Sequence, residues 1–359
     1  MKVTKKTRWG KSILMLVSVL ALLVCLVLAG CLEPGDGDGG SDNNSLATTA
    51  SFTVSNAAEW VSAVSAINAG GNNKTYTIII NNDFSLLGST TYTFSPMGLT
   101  VTIQGNGTIS LSSEGAVLFI NRGQHIIIQD TNFKGMNNNS SHLVEIQSGQ
   151  FTMQGSASIY GNYGGGVFMW DGTFTMNGGN IYGNGTAAGG VRMQYGTFTM
   201  NDGTISGNTS HQGGGVCVEY GNKFTMNGGT ISGNFAGRGG GVYLGGATFV
   251  MNGGIISGNS AYSWYSSGGG VYLFPGYSNT TIFTKTGGTI TGYASDPING
   301  NVVKDDSSTI QSGHGHSIAV GHGFNYEGPD GPFKEITSGP GDNLYYNEDG
   351  NTFSGAWDY

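Results

Sequence analysis

From about residue 77 to residue 310, apolar residues alternate with polar ones in short bursts, and each burst is closed by glycine or asparagine. Alternation of this kind is the signature of half-buried strands. Aligning Phe151-Thr-Met, Phe174-Thr-Met, Phe198-Thr-Met, Phe224-Thr-Met and Phe249-Val-Met gives spacings of 23, 24, 26 and 25 residues. Degenerate copies continue downstream to Phe283 and upstream to Ile126, Val101 and Ile78, about nine units in all. Each full unit holds three pieces, like Val242-Tyr-Leu, Phe224-Thr-Met and Thr230-Ile-Ser, set apart by Asn-Gly-Gly, Gly-Asn and Gly-Gly-Gly. Three brief strands joined by turn chemistry and repeating near 25 residues predict one coil of a three-sided parallel β-helix. The expected fold is all-β: a single-stranded right-handed parallel β-helix solenoid of about nine coils, with three short strands per coil and an N-terminal capping helix. The hand follows from the rarity of left-handed crossovers.

Stacking coils at about 4.8 Å sets like residues above one another and gives a rod of roughly 40 Å. The register predicts internal columns of Phe151, Phe174, Phe198, Phe224, Phe249 and Phe283, of Met153, Met176, Met200, Met226 and Met251, and of Ile159, Ile181, Ile205, Ile231, Ile256 and Ile290. The methionines are in phase with the phenylalanines and therefore read as core, not as a copper site. Asn162, Asn184, Asn208, Asn234 and Asn259 recur at a turn, where stacked amides can bond along the axis. Open ends of a rod invite aggregation unless covered. Ala58, Trp60, Val61, Val64 and Ile67 fall near helical spacing behind a cap at Ser55 or Asn56, which predicts a helix over 56–69 covering the first coil. The aperiodic tail from 311 to 359 is expected to cover the last. The organisation expected is 1–30 signal peptide, 31–51 flexible tether, 52–76 N-terminal cap, 77–310 repeats and 311–359 C-terminal cap.

The first eleven residues carry Lys2, Lys5, Lys6, Arg8 and Lys11 without an acid, and an apolar run follows from Ser12 to Leu28. That is the layout of an export signal. Leu28-Ala29-Gly30-Cys31 resembles the bacterial lipobox, which implies cleavage before Cys31 and acylation of its sulfur. Two or more acyl chains are what stable anchoring needs. Residues 32 to 51 are mainly Gly, Asp, Asn, Ser and Thr without apolar periodicity and read as a tether. With Cys25 removed and Cys31 acylated, Cys217 has no disulfide partner. Export removes five of the 14 basic residues and leaves nine against 22 acidic ones, a net of about −13. Nucleic acid is excluded as a partner, since its binding depends on clustered Lys and Arg.

The copies of Phe-Thr-Met-Asn-Gly-Gly-Thr-Ile-Ser-Gly-Asn followed by Gly-Gly-Gly-Val resemble the right-handed β-helix repeats of the pectate-lyase-like superfamily found in exported bacterial repeat lipoproteins. The Ile-x-Gly-Asn and Gly-Gly-Gly-Val pairing is similar, more loosely, to repeats of chlamydial-type polymorphic outer-membrane adhesins. The first resemblance implies a polysaccharide lyase or glycoside hydrolase as one reading. Lyase chemistry needs clustered calcium-binding carboxylates beside a basic residue, whereas the best-formed coils hold Asp171, Asp202 and Glu219 apart, with Arg192 and Arg238. Asp305-Asp306 and Gly313-His314-Gly315 look like two motifs of polygalacturonase-type hydrolases. Only seven residues separate Asp306 from Gly313, too few for neighbouring coils, and the Asn-Thr-Asp and Arg-Ile-Lys partners are missing. An inverting pair of carboxylates about 6.5–9.5 Å apart cannot be assembled. His314, His316 and His322 could chelate a metal if they shared a strand face, but without further ligands they read as polar residues of a glycine-rich cap. No catalytic residue, metal or cofactor is assigned.

What remains is surface chemistry. In the piece like Val242-Tyr-Leu the valine and the second residue after it are expected to face inward, which turns Phe168, Arg192, Cys217, Tyr243 and Tyr272 outward in one column, with Trp170, Gln194, Glu219 and Phe274 beside it. The other faces present Thr and Ser. Phe168, Trp170, Arg192, Tyr243, Tyr272 and Phe274 are therefore the candidate binding face, because aromatics and Arg dominate binding hot spots. Phe235, Tyr262, Trp264 and Tyr265 are further candidates at turns. The expectation is a monomeric, non-catalytic lipoprotein of the cell envelope, at the outer membrane or cell surface, held by its lipid and binding a glycan or a host protein. A β-helix polysaccharide enzyme and a purely structural envelope rod are the alternatives.

Overall fold

The computed structural model describes residues 49–88, 93–185, 189–262, 268–274, 281–293, 296–305, 307–310, 318–320 and 342–345. The chain divides into two units, Met1–Leu46 and Ala47–Tyr359, and all described residues belong to the second. The signal segment, Cys31 and His314, His316 and His322 lie outside them. Among the described residues no helix is long and apolar enough to cross a bilayer.

The second unit is a parallel β-solenoid of about nine turns. Its first face runs from Thr75–Ile80 through Thr100–Gly105, His125–Gln129 and Gln150–Gln154 to Ile282–Lys285, each strand pairing in parallel with the strand one coil away. The second face carries the Thr-Ile-Ser pieces from Phe84–Leu86 to Thr289–Ile290. The third carries eight strands from Leu118–Ile120 to Ile318–Val320. The phenylalanines stack at 4.6 to 5.1 Å between centroids and are fully buried or nearly so. The methionine and isoleucine columns are buried beside them. The registers Phe151↔Phe174, Met153↔Met176 and Ile159↔Ile181 hold the three columns in phase.

Four features depart from the expected pattern. Ile78 pairs with Ile103 and leads to Met153, whereas Tyr76 and Val101 lead to the phenylalanines. Positions 76 and 78 both face inward, so alternation alone could not choose between them. Thr173–Tyr182 and Thr197–Ser206 each pass from the first face to the second as one strand, with an irregular register at Asn177. A fourth, short parallel sheet of Thr209–Gln212, Phe235–Arg238, Ser260–Tyr262 and Val302–Lys304 enters between the second and third faces of the later coils. Phe235 and Tyr262 are thus strand residues, packed edge to face at 4.7 Å. Lastly, Thr49–Val54 forms a strand against Thr75–Ile80 and adds pairing ahead of the first repeat.

The helix, Ala57–Ala69, follows that strand. Asn56 caps it, accepting the Glu59 N–H at 3.0 Å, while the Glu59 carboxylate reaches back to the Ser55 N–H at 2.7 Å. Its buried stripe is Trp60, Ala63, Val64 and Ile67, and Trp60 lies against Phe84 and Phe94. Val61 is exposed instead, because a single helix buries one stripe. At the other end Asp342–Tyr345 pairs antiparallel with Ile282–Lys285.

Two amide ladders reinforce the stack. Inside, the side-chain amides of Asn184, Asn208, Asn234 and Asn259 each donate to the next asparagine oxygen, ending on Asn301, at 2.8 to 3.0 Å. The same amides donate backward to the carbonyls of Ile159, Ile181, Ile205 and Ile231. Asn162 stands in this column, but its amide turns to Ser141 and Gly165. Outside, at the Asn-Gly-Gly corner, Asn252, Asn227, Asn201 and Asn177 form a second, exposed ladder with spacings of 2.8 Å. Gly241 shows why the neighbouring corner is glycine: a Cβ there would meet the Gly270 carbonyl at 2.6 Å and the Asn259 amide at 3.0 Å.

Candidate functional site

The third face is where side-chain chemistry departs from Thr and Ser. Register places Phe119, Glu145, Phe168, Arg192, Cys217, Tyr243, Tyr272 and Ala319 in one column. This column points away from the main core, as alternation predicts, and the later members pack into a separate cluster of Cys217, Tyr243, Tyr272 and Ala319, flanked by Phe274.

The column is not an open aromatic surface, however. Tyr243 and Tyr272 are each 3% exposed and Phe168 is 6% exposed. Local packing explains it. The Tyr243 ring lies along its own strand over Gly245, whose Cβ would sit 3.0 Å from a ring carbon. Tyr272 stacks on Tyr243 at 5.7 Å, and the Arg238 guanidinium stands 6.0 Å over the Tyr272 ring. Alternation specifies which side a residue faces, but not whether a tyrosine stands up or lies flat. Cys217, between Arg192 and Tyr243 in the column, is fully buried, and burial pushes its thiol well above the usual range, so it stays protonated and unreactive.

The earlier coils hold a polar cluster on the same face. His142 stacks on Phe168 at 4.6 Å. Burial, and then the charge of Arg192, press its pKa down to about 4, so it is neutral. Its Nε2 is buried without a hydrogen-bond partner. Arg192 donates to the Glu219 carboxylate at 2.9 Å, one coil on. Asp171 and Asp202 each accept the N–H of the following glycine at 2.7 Å. The acids of the regular coils therefore serve an ion pair and two turns, and among the described residues no three His, Cys, Asp or Glu side chains form a metal-binding group. Asp305 likewise closes a turn with Ser307 and Thr309.

Exposed aromatics sit one step further along the chain, at the corner from the third face to the first. Trp170 is 45% exposed, Tyr195 57% and Tyr220 56%. Trp170 follows the strand Val167–Met169 and leans on Phe168, edge to face at 4.9 Å. Tyr195 and Tyr220 each lie two residues beyond the paired positions Met193 and Val218, which makes them neighbours on adjacent coils. Tyr220 holds a φ of +58°, a left-handed conformation that costs a bulky residue on the order of 1–2 kcal/mol. Of the six candidate residues, Trp170 is on this open corner, Arg192 and Phe274 are half-buried, and Phe168, Tyr243 and Tyr272 are covered. Tyr195 and Tyr220 escaped sequence reading because they precede turn glycines, outside the alternating pieces. On the second face the exposed Tyr182 stacks on the half-buried Tyr160 at 4.9 Å with rings 5° from parallel.

Compared with protein-family models, with curated proteins and with solved structures, the chain gives no match in any of the three.

Proposed function

We propose that this protein is an exported lipoprotein, anchored through Cys31 in the cell envelope at the outer membrane or cell surface, that binds a glycan or protein partner without catalysing its breakdown. The repeat resemblance also places it, on this reading, among right-handed β-helix proteins of the pectate-lyase-like kind. One observation carries the binding function. The outward columns of the first two faces are mainly Thr, Ser and Asn, whereas three consecutive coils at the third-face corner hold Trp170, Tyr195 and Tyr220 roughly half in water. Large rings left in solvent cost apolar burial, and clustered exposure of this kind marks interaction sites. Against catalysis stands the engagement of Glu219, Asp171 and Asp202 in structural contacts.

The test is to incubate the protein with acidic and neutral polysaccharides, extracellular matrix proteins and cells, reading both retention and release of reducing ends or unsaturated products. Retention without product release is expected. Product release would replace the binder with an enzyme, and retention on no surface would leave only an envelope rod.

A further inference from the structure

We propose that the second face carries a sugar-binding site, in which the free face of the Tyr182 ring stacks on a neutral pyranose lying over Ser206 and Ser232. This names a ligand class for the binding function proposed above and rests on that function, but it stands on different residues. Register sets Tyr160, Tyr182, Ser206, Ser232 and Ser257 in one outward column on consecutive coils. The Tyr160 ring covers one face of Tyr182, 4.9 Å away and 5° from parallel. The opposite face therefore looks along the axis toward the next coil, where the register partner is a serine in place of a third ring. Tyr182 is 39% exposed, and Tyr160 is the only ring that stacks on it among the described residues.

Beyond that ring the surface drops to a shelf. Its serines advance by about 4.8 Å per coil, and Thr204 and Thr230, in register with each other, stand two residues before Ser206 and Ser232. Along the other edge runs the corner of Gly183, Gly207 and Gly233, which carries no side chains. A Cβ at Gly183 would meet nothing within 4 Å, and at Gly207 or Gly233 the nearest atom is 3.9 Å away, so that edge is open. The hydroxyls of Tyr182, Thr204, Ser206, Thr230 and Ser232 hydrogen-bond to no described residue, in contrast to the amides of the two asparagine ladders.

These features match the two aspects of a pyranose. Its C–H face is apolar and packs against an aromatic ring, which takes both out of water. Its hydroxyls need partners, and the shelf offers serine and threonine hydroxyls that both donate and accept. An aromatic side chain of a protein partner would find the ring but not the apolar floor that the centre of a protein interface requires. The shelf column and the column of Asn180, Thr204 and Thr230 beside it hold no Lys or Arg, so a carboxylated sugar finds no countercharge there, and the excess acid of the whole chain repels it. The ring is also held in place, between the buried core residue Ile181 beside it in sequence and Tyr160 against its face, which lowers the cost of ordering it on binding.

The experiment passes the full chain, solubilised in non-ionic detergent, over beads bearing mannose, galactose, glucose or N-acetylglucosamine, with glucuronate beads as the charged comparison and matrix proteins and cells alongside. At least one neutral sugar is expected to retain the protein and glucuronate to retain little. Tyr182→Ala should lower that retention roughly fivefold or more. Ser206→Tyr should lower it as much with Tyr182 still in place, because a third ring in register would stack where the sugar is to lie. Ser110→Tyr, three coils before Tyr182 in the same column, should leave retention unchanged. Thermal unfolding checks that each variant is folded; should Ser206→Tyr fail that check, Tyr182→Ala alone decides. Unchanged retention of a folded Tyr182→Ala or Ser206→Tyr protein overturns the proposal, as does tighter retention on glucuronate. Retention on matrix proteins or cells with none on neutral sugars overturns it too, but leaves the broader binding function standing; retention nowhere overturns both.

Discussion

Phe224 lies between the rings of Phe198 and Phe249, at 4.9 and 4.6 Å, with no exposed surface, and its neighbour Thr225 faces the other way. Phe224→Ala removes two stacking contacts and opens a cavity, so urea unfolding is expected to register a loss of about 3–5 kcal/mol. Thr225→Ala should cost well under about 1 kcal/mol. The reverse order would mean a register wrong by one residue, which flips every side chain. Tyr220 offers the opposite sign. Asn tolerates the left-handed region far better than a bulky ring does, so Tyr220→Asn should raise stability by roughly 0.5–1 kcal/mol in the same assay. A loss of stability there would show that the ring makes contacts worth more than its backbone costs. Which residues face the core was legible from alternation, down to individual phenylalanines and methionines. Which outward residues stay in water was not, because Tyr243 is covered by lying over Gly245 and Tyr220 is exposed by a turn.

At the scale of elements, the internal asparagine ladder joins coils that share no covalent cross-link. Asn234 donates to Ile205 and Asn259 and accepts both the backbone and side-chain N–H of Asn208, all at 2.9 to 3.0 Å. Asn234→Ala therefore strips partners from several buried groups, at about 1–3 kcal/mol for each one left unsatisfied. A total loss of at least about 3 kcal/mol is expected, with faster amide exchange at Asn208. Asn252 makes a similar side-chain contact on the exposed ladder, where water replaces the lost partner, and Asn252→Ala should cost less than about 1 kcal/mol. Equal losses at the two positions would show that the ladders are energetically alike. Five members of the internal ladder could be read from their spacing. Asn139 and Asn301 could not: Asn301 closes the ladder 42 residues after Asn259, beyond any regular repeat, and Asn139, whose side-chain amide donates to the Asn162 oxygen at 2.8 Å, sits in a coil whose strands lack the Phe-Thr-Met signature.

At the scale of the whole molecule, the proposed export and anchoring would rest on the first 31 residues. If the lipobox is used, Cys31→Ala abolishes association with the membrane fraction and leaves the thermal unfolding of the solenoid unchanged, since the tether holds no other apolar anchor. Complete retention of a cleaved Cys31→Ala protein in membranes would defeat the lipoprotein assignment. The ends of the solenoid raise a separate issue, because strand edges left open recruit other chains. The helix Ala57–Ala69 packs its Trp60 stripe against the first coil, and the antiparallel strand Asp342–Tyr345 pairs with the last first-face strand.

The sequence by itself determined the repeat, the parallel solenoid, its inward columns and the helix ahead of them, because each follows from local periodicity and turn chemistry; the choice of Asn56 over Ser55 as the cap came from the structure. Only the tertiary structure decided what covers the third face, where a fourth sheet enters and which aromatics remain in solvent. Those outcomes depend on contacts between coils more than twenty residues apart, such as Arg192 with Glu219 and Arg238 over Tyr272. A repeat pattern specifies the direction of a side chain, whereas its exposure is set by whichever neighbour the stacking happens to place beside it.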